Sequence, residues 1–401
     1  MQTGPSQITT SSQPTTLTTV LLINQDWAFL SHRLALARSL KNSGARVIVA
    51  TAVDKCRAAI EQEGFEVHHI PFSRSGISLV SEFLTLIAII RFYHKVKPDL
   101  VHQVAIKPSI YGTIAAKFAG VNAAVNTISG LGYVFTTTTF KTIILRLILK
   151  MLMRSAFSGK GVRVVFQNPD DHQMFLRQSL IDDPGRTSLI LGSGVDLNRF
   201  KPSDEPTGVC KIVLPARMLR EKGVFEAVDA ARILRRRGLS FELILAGGLD
   251  PDNRGAISAH QLNSWSKEGI VRWIGHQKSM EQVLRDSNIV CLPSYREGLP
   301  LALIEAAATG RAMVSTDVPG CRHVVIHDRS GLIVPARDSE KLADALEVLI
   351  ESPDMRTRFG REAREHAKRE FSNERIISQL YTIYNELLRG TGKNLTNPFA
   401  A

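Results

Sequence analysis

Short apolar runs rich in Val, Ile and Leu recur along the chain, each followed by a stretch with helical spacing. In the first half they are TVLLIN (19–24), RVIVAT (46–51), EVHHI (66–70), DLVHQV (99–104), AAVNTI (123–128), RVVFQN (163–168) and SLILG (188–192). In the second half they are KIVLPA (211–216), FELILAGG (241–248), VRWIG (271–275), NIVCLP (288–293), AMVST (312–316) and GLIVPA (331–336). These runs do not alternate apolar with polar positions, so both faces of each strand are expected to be covered. Strands of that kind separated by helices predict parallel sheets, and their number suits two doubly wound α/β domains. The segment GVDLNRFKPSDEPTG (194–208) carries Pro, Asp and Gly without apolar periodicity and marks the break. The chain thus divides into a disordered lead-in at 1–18, a first domain at 19–195, a linker at 196–209 and a second domain at 210–371. A helix at 372–390, free to pack back on the first domain, and a frayed tail at 391–401 complete it. Ligands in doubly wound folds bind at the carboxyl ends of the strands, so two facing domains define a cleft.

Composition narrows the class. With 401 residues, 44% hydrophobic and 22% charged, the chain reads as an ordinary soluble globular protein. Cys56, Cys210, Cys291 and Cys321 are far apart and form no CxxC pair, so neither a zinc site nor a disulfide framework is expected. The first 19 residues have no basic or apolar region of the signal-peptide kind. Net charge is +12, and it is uneven. Residues 1–200 hold 21 Lys+Arg against 12 Asp+Glu, whereas residues 201–401 hold 29 against 26. A basic first half favours a polyanionic partner: nucleic acid, an anionic membrane or a phosphorylated substrate. Nucleic acid is disfavoured, because the basic residues lack interleaved aromatics and no helix-turn-helix, zinc or RRM signature is present.

Two apolar segments bear on the membrane. Residues 78–97 have an uncharged apolar core too short to span a bilayer. Residues 140–154, FKTIILRLILKMLMR, place Lys141, Arg146, Lys150 and Arg154 at spacings of 5, 4 and 4, one basic stripe on an otherwise apolar helix. An interfacial helix favours such a stripe, since cations reach headgroups while leucines enter the acyl boundary. A core helix with one wet face is the alternative reading.

The densest candidate chemistry lies in REGLPLALIEAAATG (296–310). It follows a buried strand, and Pro300 suits the first turn of a helix. Gly298 lets backbone approach a ligand, and the free N–H groups of the helix start form an anion site. Glu297 and Glu305 flank that start, where two carboxylates could hold polyols on either side of a diphosphate. Ala302, Ala306 and Thr309 are small enough to admit a flat ligand beside Glu305. The plainer reading is a capping Glu297 and a solvated Glu305. Arg217 and Lys222 in PARMLREKG (215–223) follow a strand and can neutralise a diphosphate. ILAGG (244–248) ends a strand on Gly247 and Gly248, for close ligand approach or a tight turn. The DPD sequence at 250–252 fits a loose metal-binding pattern, but Pro251 favours a plain loop, so no metal is expected. In the first domain Ser31-His32-Arg33 opens a helix, His102 and Lys107 follow a strand, and Gly130 and Gly132 form a Gly-Leu-Gly turn. Taken singly, each has an ordinary structural explanation.

Together, VLPARMLREKG, LILAGG, WIGH, VCLPSYREGLPLALIEAAATGRAMVSTDVPGC and GLIVP resemble the second domain of the family 4 glycosyltransferases of GT-B fold. That resemblance implies two Rossmann-like domains facing an interdomain cleft and a retaining reaction with a nucleotide-sugar. It implies that Arg217 and Lys222 bind the donor diphosphate and that Glu297 holds the transferred sugar. Glu305 would hold the ribose, and Gly298, Leu299, Pro300 and Leu301 would meet phosphate or sugar. With VFQNPDDHQMF and LGSGVDLNRF, the first domain is similar to bacterial enzymes that extend undecaprenyl-diphosphate-linked sugars for O-antigen, capsule or glycoprotein glycans. By that likeness the donor is a UDP-sugar, Gly130, Gly132 and Gly248 approach it, and His32, His102 and Lys107 are candidates for the acceptor. No cofactor or metal is implied. The partners implied are a lipid-linked saccharide and the anionic inner face of the bacterial plasma membrane, where the basic stripe would dock a cytoplasmic protein. A soluble transferase acting on a small sugar or sugar phosphate, and a non-catalytic sugar-nucleotide binder, are the competing readings.

Overall fold

The computed structural model describes residues 16–73, 79–130 and 140–399, with residues 79 and 140–145 described by backbone alone. All thirteen apolar runs form strands. The first seven are β1 (Thr18–Ile23), β2 (Arg46–Thr51), β3 (Glu66–His69), β4 (Leu100–Val104), β5 (Ala124–Ile128), β6 (Val162–Phe166) and β7 (Thr187–Leu189). The other six are β8 (Cys210–Pro215), β9 (Phe241–Ala246), β10 (Arg272–Gly275), β11 (Ile289–Leu292), β12 (Ala312–Thr316) and β13 (Gly331–Val334). They make two parallel sheets, ordered β3-β2-β1-β4-β5-β6-β7 and β10-β9-β8-β11-β12-β13. In each sheet the order reverses beside the domain's first strand. Ile23 pairs with Val104 at one reversal, and β8 pairs with β11 at the other.

The apolar runs are continuous because each sheet is covered twice. On β1, Leu21 and Ile23 face the helix Asn373–Leu388, which presents Ile376, Ile377, Leu380, Tyr381 and Tyr384. Val20 and Leu22 face the other side, where Ile89, Phe92, Ile110, Met153 and Phe157 come from the helices Leu79–Val96, Ile106–Phe118 and Phe140–Phe157. The second sheet is covered likewise, by Val224–Arg236 and Ser339–Glu351 on one face and Leu301–Ala308 and Pro353–Glu370 on the other. Each fully buried Leu, Ile or Phe contributes about 1.5–3 kcal/mol by leaving water. The last helix therefore belongs to the first domain's core, although it follows the second domain in the chain.

The segment joining the domains is held by arginines of the second domain. Arg311 donates to the Ser203 and Asp204 carbonyls, Arg364 to those of Leu197 and Phe200, and Arg356 to Glu205. At the two ends the structure differs from the sequence-based expectation. Residues 1–15 lie outside the described residues, but Leu17 is buried and Thr18 opens β1. The tail is docked rather than frayed. Leu395 is buried and exchanges two hydrogen bonds of 2.9 Å with the Asn385 side chain, and Lys393 pairs with Asp99 at 2.8 Å.

Candidate active site

Between the carboxyl ends of the two sheets lies a cavity of about 420 Å³. Its lining includes Ile23 and Val104 from the first order reversal, and Pro215 and Leu292 from the second. This is where doubly wound folds place ligands.

The second domain supplies the charged wall. After β8 the chain turns through Arg217 and the short 3-10 turn Arg220–Lys222 to Gly223, whose φ of +71° and contact with the Pro293 carbonyl require glycine. That path brings the Lys222 Nζ to Glu297 Oε1 at 2.5 Å, while the Ser294 hydroxyl donates to the same oxygen at 2.7 Å. The Arg217 guanidinium pairs with Asp250 and lies 5.4 Å from the Trp27 ring of the first domain, a cation–π contact across the cleft. The helix Leu301–Ala308 begins one residue later than expected, with Pro300 as its N-cap. Its first residues, Leu301 and Ala302, line the cavity, where the free N–H groups and the dipole of a helix start attract an anion.

The first domain supplies a wall of polar side chains and backbone: Asn24, Gln25, His32, Ser129, Gln167 and Ser193. Asp26 shapes its rim. Its buried carboxylate accepts from the backbone N–H groups of Trp27, Asp54 and Cys56, tying two loops together. His32 Nδ1 lies 3.3 Å from the Ser193 hydroxyl. Burial, with Arg33, Lys222 and Arg217 nearby, pushes the His32 pKa down to about 4, so the ring is neutral at pH 7.

The cavity brings together His32, Arg217, Lys222, Glu297, Gly298, Leu299, Pro300 and Leu301. Gly130 sits at its edge, where its Cβ position is 3.8 Å from the Gly298 Cα. Gly132 lies outside the described residues. Glu305 follows one turn along the helix, half-buried, and among the described residues nothing pairs with its carboxyl group; burial pushes its pKa up to about 8. Ala306 and Thr309 are wholly buried in the domain core, so of the three small residues only Ala302 lines the cavity.

Three candidates are placed elsewhere. His102 is fully buried, with Nδ1 on the Tyr384 hydroxyl at 2.5 Å and Nε2 on the Thr127 hydroxyl at 2.7 Å. Both ring nitrogens serve the core, where it ties β4 and β5 to the last helix, and no acceptor reaches it. Lys107 pairs with Glu82 at 2.6 Å and joins two helices outside the cavity. Gly248 does not line the cavity; its carbonyl accepts from the Met218 N–H and fixes the turn that carries Arg217. Asp250 of the DPD sequence is committed to Arg217, and among the described residues no three His, Cys, Asp or Glu side chains converge as metal ligands.

Sequence reasoning missed a set of contacts that joins the domains beside the site. Asn168 caps the helix Pro169–Arg177 and donates from Nδ2 to the Gly298 carbonyl at 2.6 Å. The buried Asp171 pairs with Arg296 at 2.6 Å, and Asp170 meets Arg322 at 3.0 Å and His323 at 2.6 Å. In sequence, NPDDH (168–172) reads as a capped helix start, and nothing in it signals a partner more than 120 residues away.

The basic stripe is partly exposed. Leu147, Ile148 and Met151 of its helix are more than half exposed, and Arg146 and Lys150 border a surface pocket with Arg177. Arg154 pairs with Asp182 at 2.6 Å, and the Lys141 side chain lies outside the description. No described helix is long and apolar enough to cross a membrane.

Comparison with known proteins identifies the family and the fold. Residues 197–366 match the family model described as glycosyl transferases group 1, and residues 19–158 match that described as glycosyl transferase 4-like. The chain is 24% identical over 383 residues to a Campylobacter jejuni protein, covering 90% of this chain and 98% of that one. That protein is named N,N'-diacetylbacillosaminyl-diphospho-undecaprenol alpha-1,3-N-acetylgalactosaminyltransferase. It is 25% identical to an Escherichia coli UDP-Gal:alpha-D-GlcNAc-diphosphoundecaprenol alpha-1,3-galactosyltransferase, covering 69% of this chain and 73% of that one. Among solved structures, Anabaena Alr3699/HepE in complex with UDP and glucose superposes with a TM-score of 0.72 at 17% identity, covering 90% and 98% of the two chains. With two facing doubly wound domains and both family models matched in order, the chain belongs to the group 1 glycosyltransferases of GT-B fold.

Proposed function

We propose that the chain is a retaining enzyme that moves a hexose or N-acetylhexosamine from a UDP-sugar onto a polyprenyl-diphosphate-linked saccharide during cell-surface glycan assembly. The observation that carries this reading is the meeting of Arg217, Lys222, Glu297 and a helix N-terminus on one wall of a cavity with a hydrogen-bonding wall opposite. The names of the Campylobacter and Escherichia relatives support the acceptor class, and the Escherichia name and the UDP held by the Anabaena structure support the donor.

On this reading the donor diphosphate lies between the cations of Arg217 and Lys222 and the N–H groups at Leu301. Glu297, oriented by Lys222 and Ser294, accepts from hydroxyls of the transferred sugar. The unpaired Glu305 carboxyl is suited to the ribose hydroxyls. The bond from the anomeric carbon to the diphosphate oxygen breaks while the acceptor hydroxyl attacks from the same face, and the departing diphosphate takes that hydroxyl's proton. Charge stabilisation and positioning then supply the rate, with no protein nucleophile or resident metal. The exposed apolar and basic surface of the helix Phe140–Phe157 would rest on the anionic inner leaflet, next to the acceptor.

The test pairs the purified protein with a short-chain polyprenyl-diphosphate-N-acetylhexosamine and a panel of UDP- and GDP-sugars. Nucleotide release that requires the lipid, adds one sugar to it with retained anomeric configuration and disappears in Glu297→Ala is the expected result. Release with a soluble acceptor but never with the lipid overturns the acceptor class.

A further inference from the structure

Among the described residues, the cavity holds one cation that no carboxylate answers. Arg33 lines it and is only 3% exposed. Among the described residues its guanidinium makes a single hydrogen bond, from Nη1 to the His32 carbonyl at 3.2 Å, while the buried Nε has no partner. Among the described residues lining the cavity the one carboxylate, Glu297, is already engaged by Lys222 and Ser294. The other neighbours are neutral, with His102 and Tyr384 bonded to each other behind it. A buried guanidinium without a counter-ion is costly, and an anionic ligand in the cavity would supply the missing charge. Arg33 joins two helices, as C-cap of Asp26–His32 and N-cap of Leu34–Asn42, so the opposed dipole ends there leave its charge to be met by a ligand. Burial above all, and then the charges of Arg33, Lys222 and Arg217, lower the pKa of the adjacent His32, which is therefore neutral beside Arg33.

We propose that Arg33 is the anion-binding residue of the first domain's half of the cavity, and that it receives a phosphoryl group of the acceptor. Arg217 and Lys222 serve the donor's phosphates on the opposite wall, so the two substrates are read by separate cations. His32 and Ser193, hydrogen-bonded beside Arg33, would then hold the acceptor's sugar rather than its phosphate. The identity of the phosphoryl donor rests on the lipid-linked acceptor proposed above; the anion subsite does not.

Two measurements separate these claims. In the first, wild type, Arg33→Gln and Arg33→Lys are compared with a prenyl-diphosphate-linked N-acetylhexosamine and with the alkyl glycoside of the same sugar, which lacks phosphate. Arg33→Gln is expected to raise the acceptor KM at least tenfold for the diphosphate-linked substrate alone, with the donor KM unchanged and partial rescue in Arg33→Lys. An equal loss with both acceptors, or a rise in donor KM instead, overturns the assignment. In the second, inorganic pyrophosphate is titrated calorimetrically into each protein already saturated with UDP. One equivalent binding to wild type and none to Arg33→Gln is expected; no binding to wild type, or equal binding to both, overturns the subsite. If pyrophosphate binds through Arg33 while no lipid acceptor is turned over, the acceptor reading fails and the anion site stands. Melting temperature guards the comparison. Removing an uncompensated buried charge should leave Arg33→Gln at least as stable as wild type, and a large loss of stability would mark a structural residue instead.

Discussion

At the scale of single residues, the two glutamates of the 297–305 segment share a sequence context but have opposite electrostatics. Glu297 has two donors within 2.7 Å and is anchored before any substrate arrives. Replacing it by Gln keeps its size but leaves Lys222 without its carboxylate, and kcat/KM is expected to fall about a hundredfold, equivalent to roughly 2.7 kcal/mol. Steady-state kinetics would check it, at a temperature where circular dichroism shows the variant folded. Among the described residues Glu305 has no partner, and burial raises its pKa to about 8, so the free protein carries it protonated at pH 7. Donation by ribose hydroxyls favours the carboxylate, so UDP binding at pH 7 should release a proton. Calorimetry in buffers of different ionisation enthalpy should register that release in wild type and lose it in Glu305→Gln. The same shift bears on folding. A carboxyl whose folded pKa lies above its unfolded value of about 4.3 binds more protons folded, so its contribution is present at low pH and is lost as pH rises towards 8. Glu305→Gln should therefore gain stability over wild type across that interval, by an amount on the order of 1 kcal/mol or more once partial exposure is discounted. Chemical denaturation at pH 5 and pH 8 would measure the difference.

At the scale of elements, the strands were legible because a parallel strand buried on both faces leaves an unbroken apolar run, and all thirteen runs became strands. The side chains at their ends were not legible to the same degree. Arg33 and His102 are both single basic residues in polar surroundings near a strand or helix end, yet one lines the cavity and the other is sealed between β4, β5 and the last helix. That outcome depends on Tyr384, 282 residues from His102, and no local pattern encodes it. The helix Phe140–Phe157 is a similar case. Its stripe predicted a basic face, but Arg154 is taken by Asp182, and the more telling feature is the exposed trio Leu147, Ile148 and Met151 beside Lys150. If that face rests on a membrane, charge and apolar surface should contribute separably. Co-sedimentation with vesicles containing anionic phospholipid should weaken between 50 and 500 mM salt, values chosen so that the Debye length falls from about 14 to about 4 Å. Leu147→Glu with Met151→Glu should weaken binding at both salt concentrations while leaving turnover of a short-chain, detergent-soluble acceptor intact. Vesicle binding unaffected by either change would return the helix to an ordinary wet surface.

At the scale of the whole molecule, the site exists only where two domains meet, and one helix start supplies a group of contacts between them beside the site. Asn168, Asp170 and Asp171 of the first domain grip Gly298, Arg296, Arg322 and His323 of the second, on either side of Glu297. The approach is close enough that a Cβ at Gly298 would sit 2.0 Å from the Ser129 carbonyl. Inter-domain surfaces of this kind are small and polar, so the domains are expected to open and close about the linker unless such contacts hold them. The Asn168 side chain donates to the carbonyl of the residue after the proposed sugar-binding glutamate, so it positions that loop without touching substrate. Asn168→Ala removes that bond together with the cap on the Asp171 N–H and the bond to the Asp171 carboxylate, about 1 kcal/mol each, and frees the loop, so a five- to thirtyfold fall in kcat/KM is expected along with a lower melting temperature. Gly298→Ala must push the domains apart, and it should cost more. Small-angle scattering separates the two: Gly298→Ala is expected to enlarge the radius of gyration with UDP bound, whereas Asn168→Ala should close as wild type does and lose the alignment of Glu297. Were both variants to scatter like wild type and turn over at its rate, the contacts at 168–171 would be incidental to the reaction, and the geometry of the cleft would be set by the linker and the last helix alone.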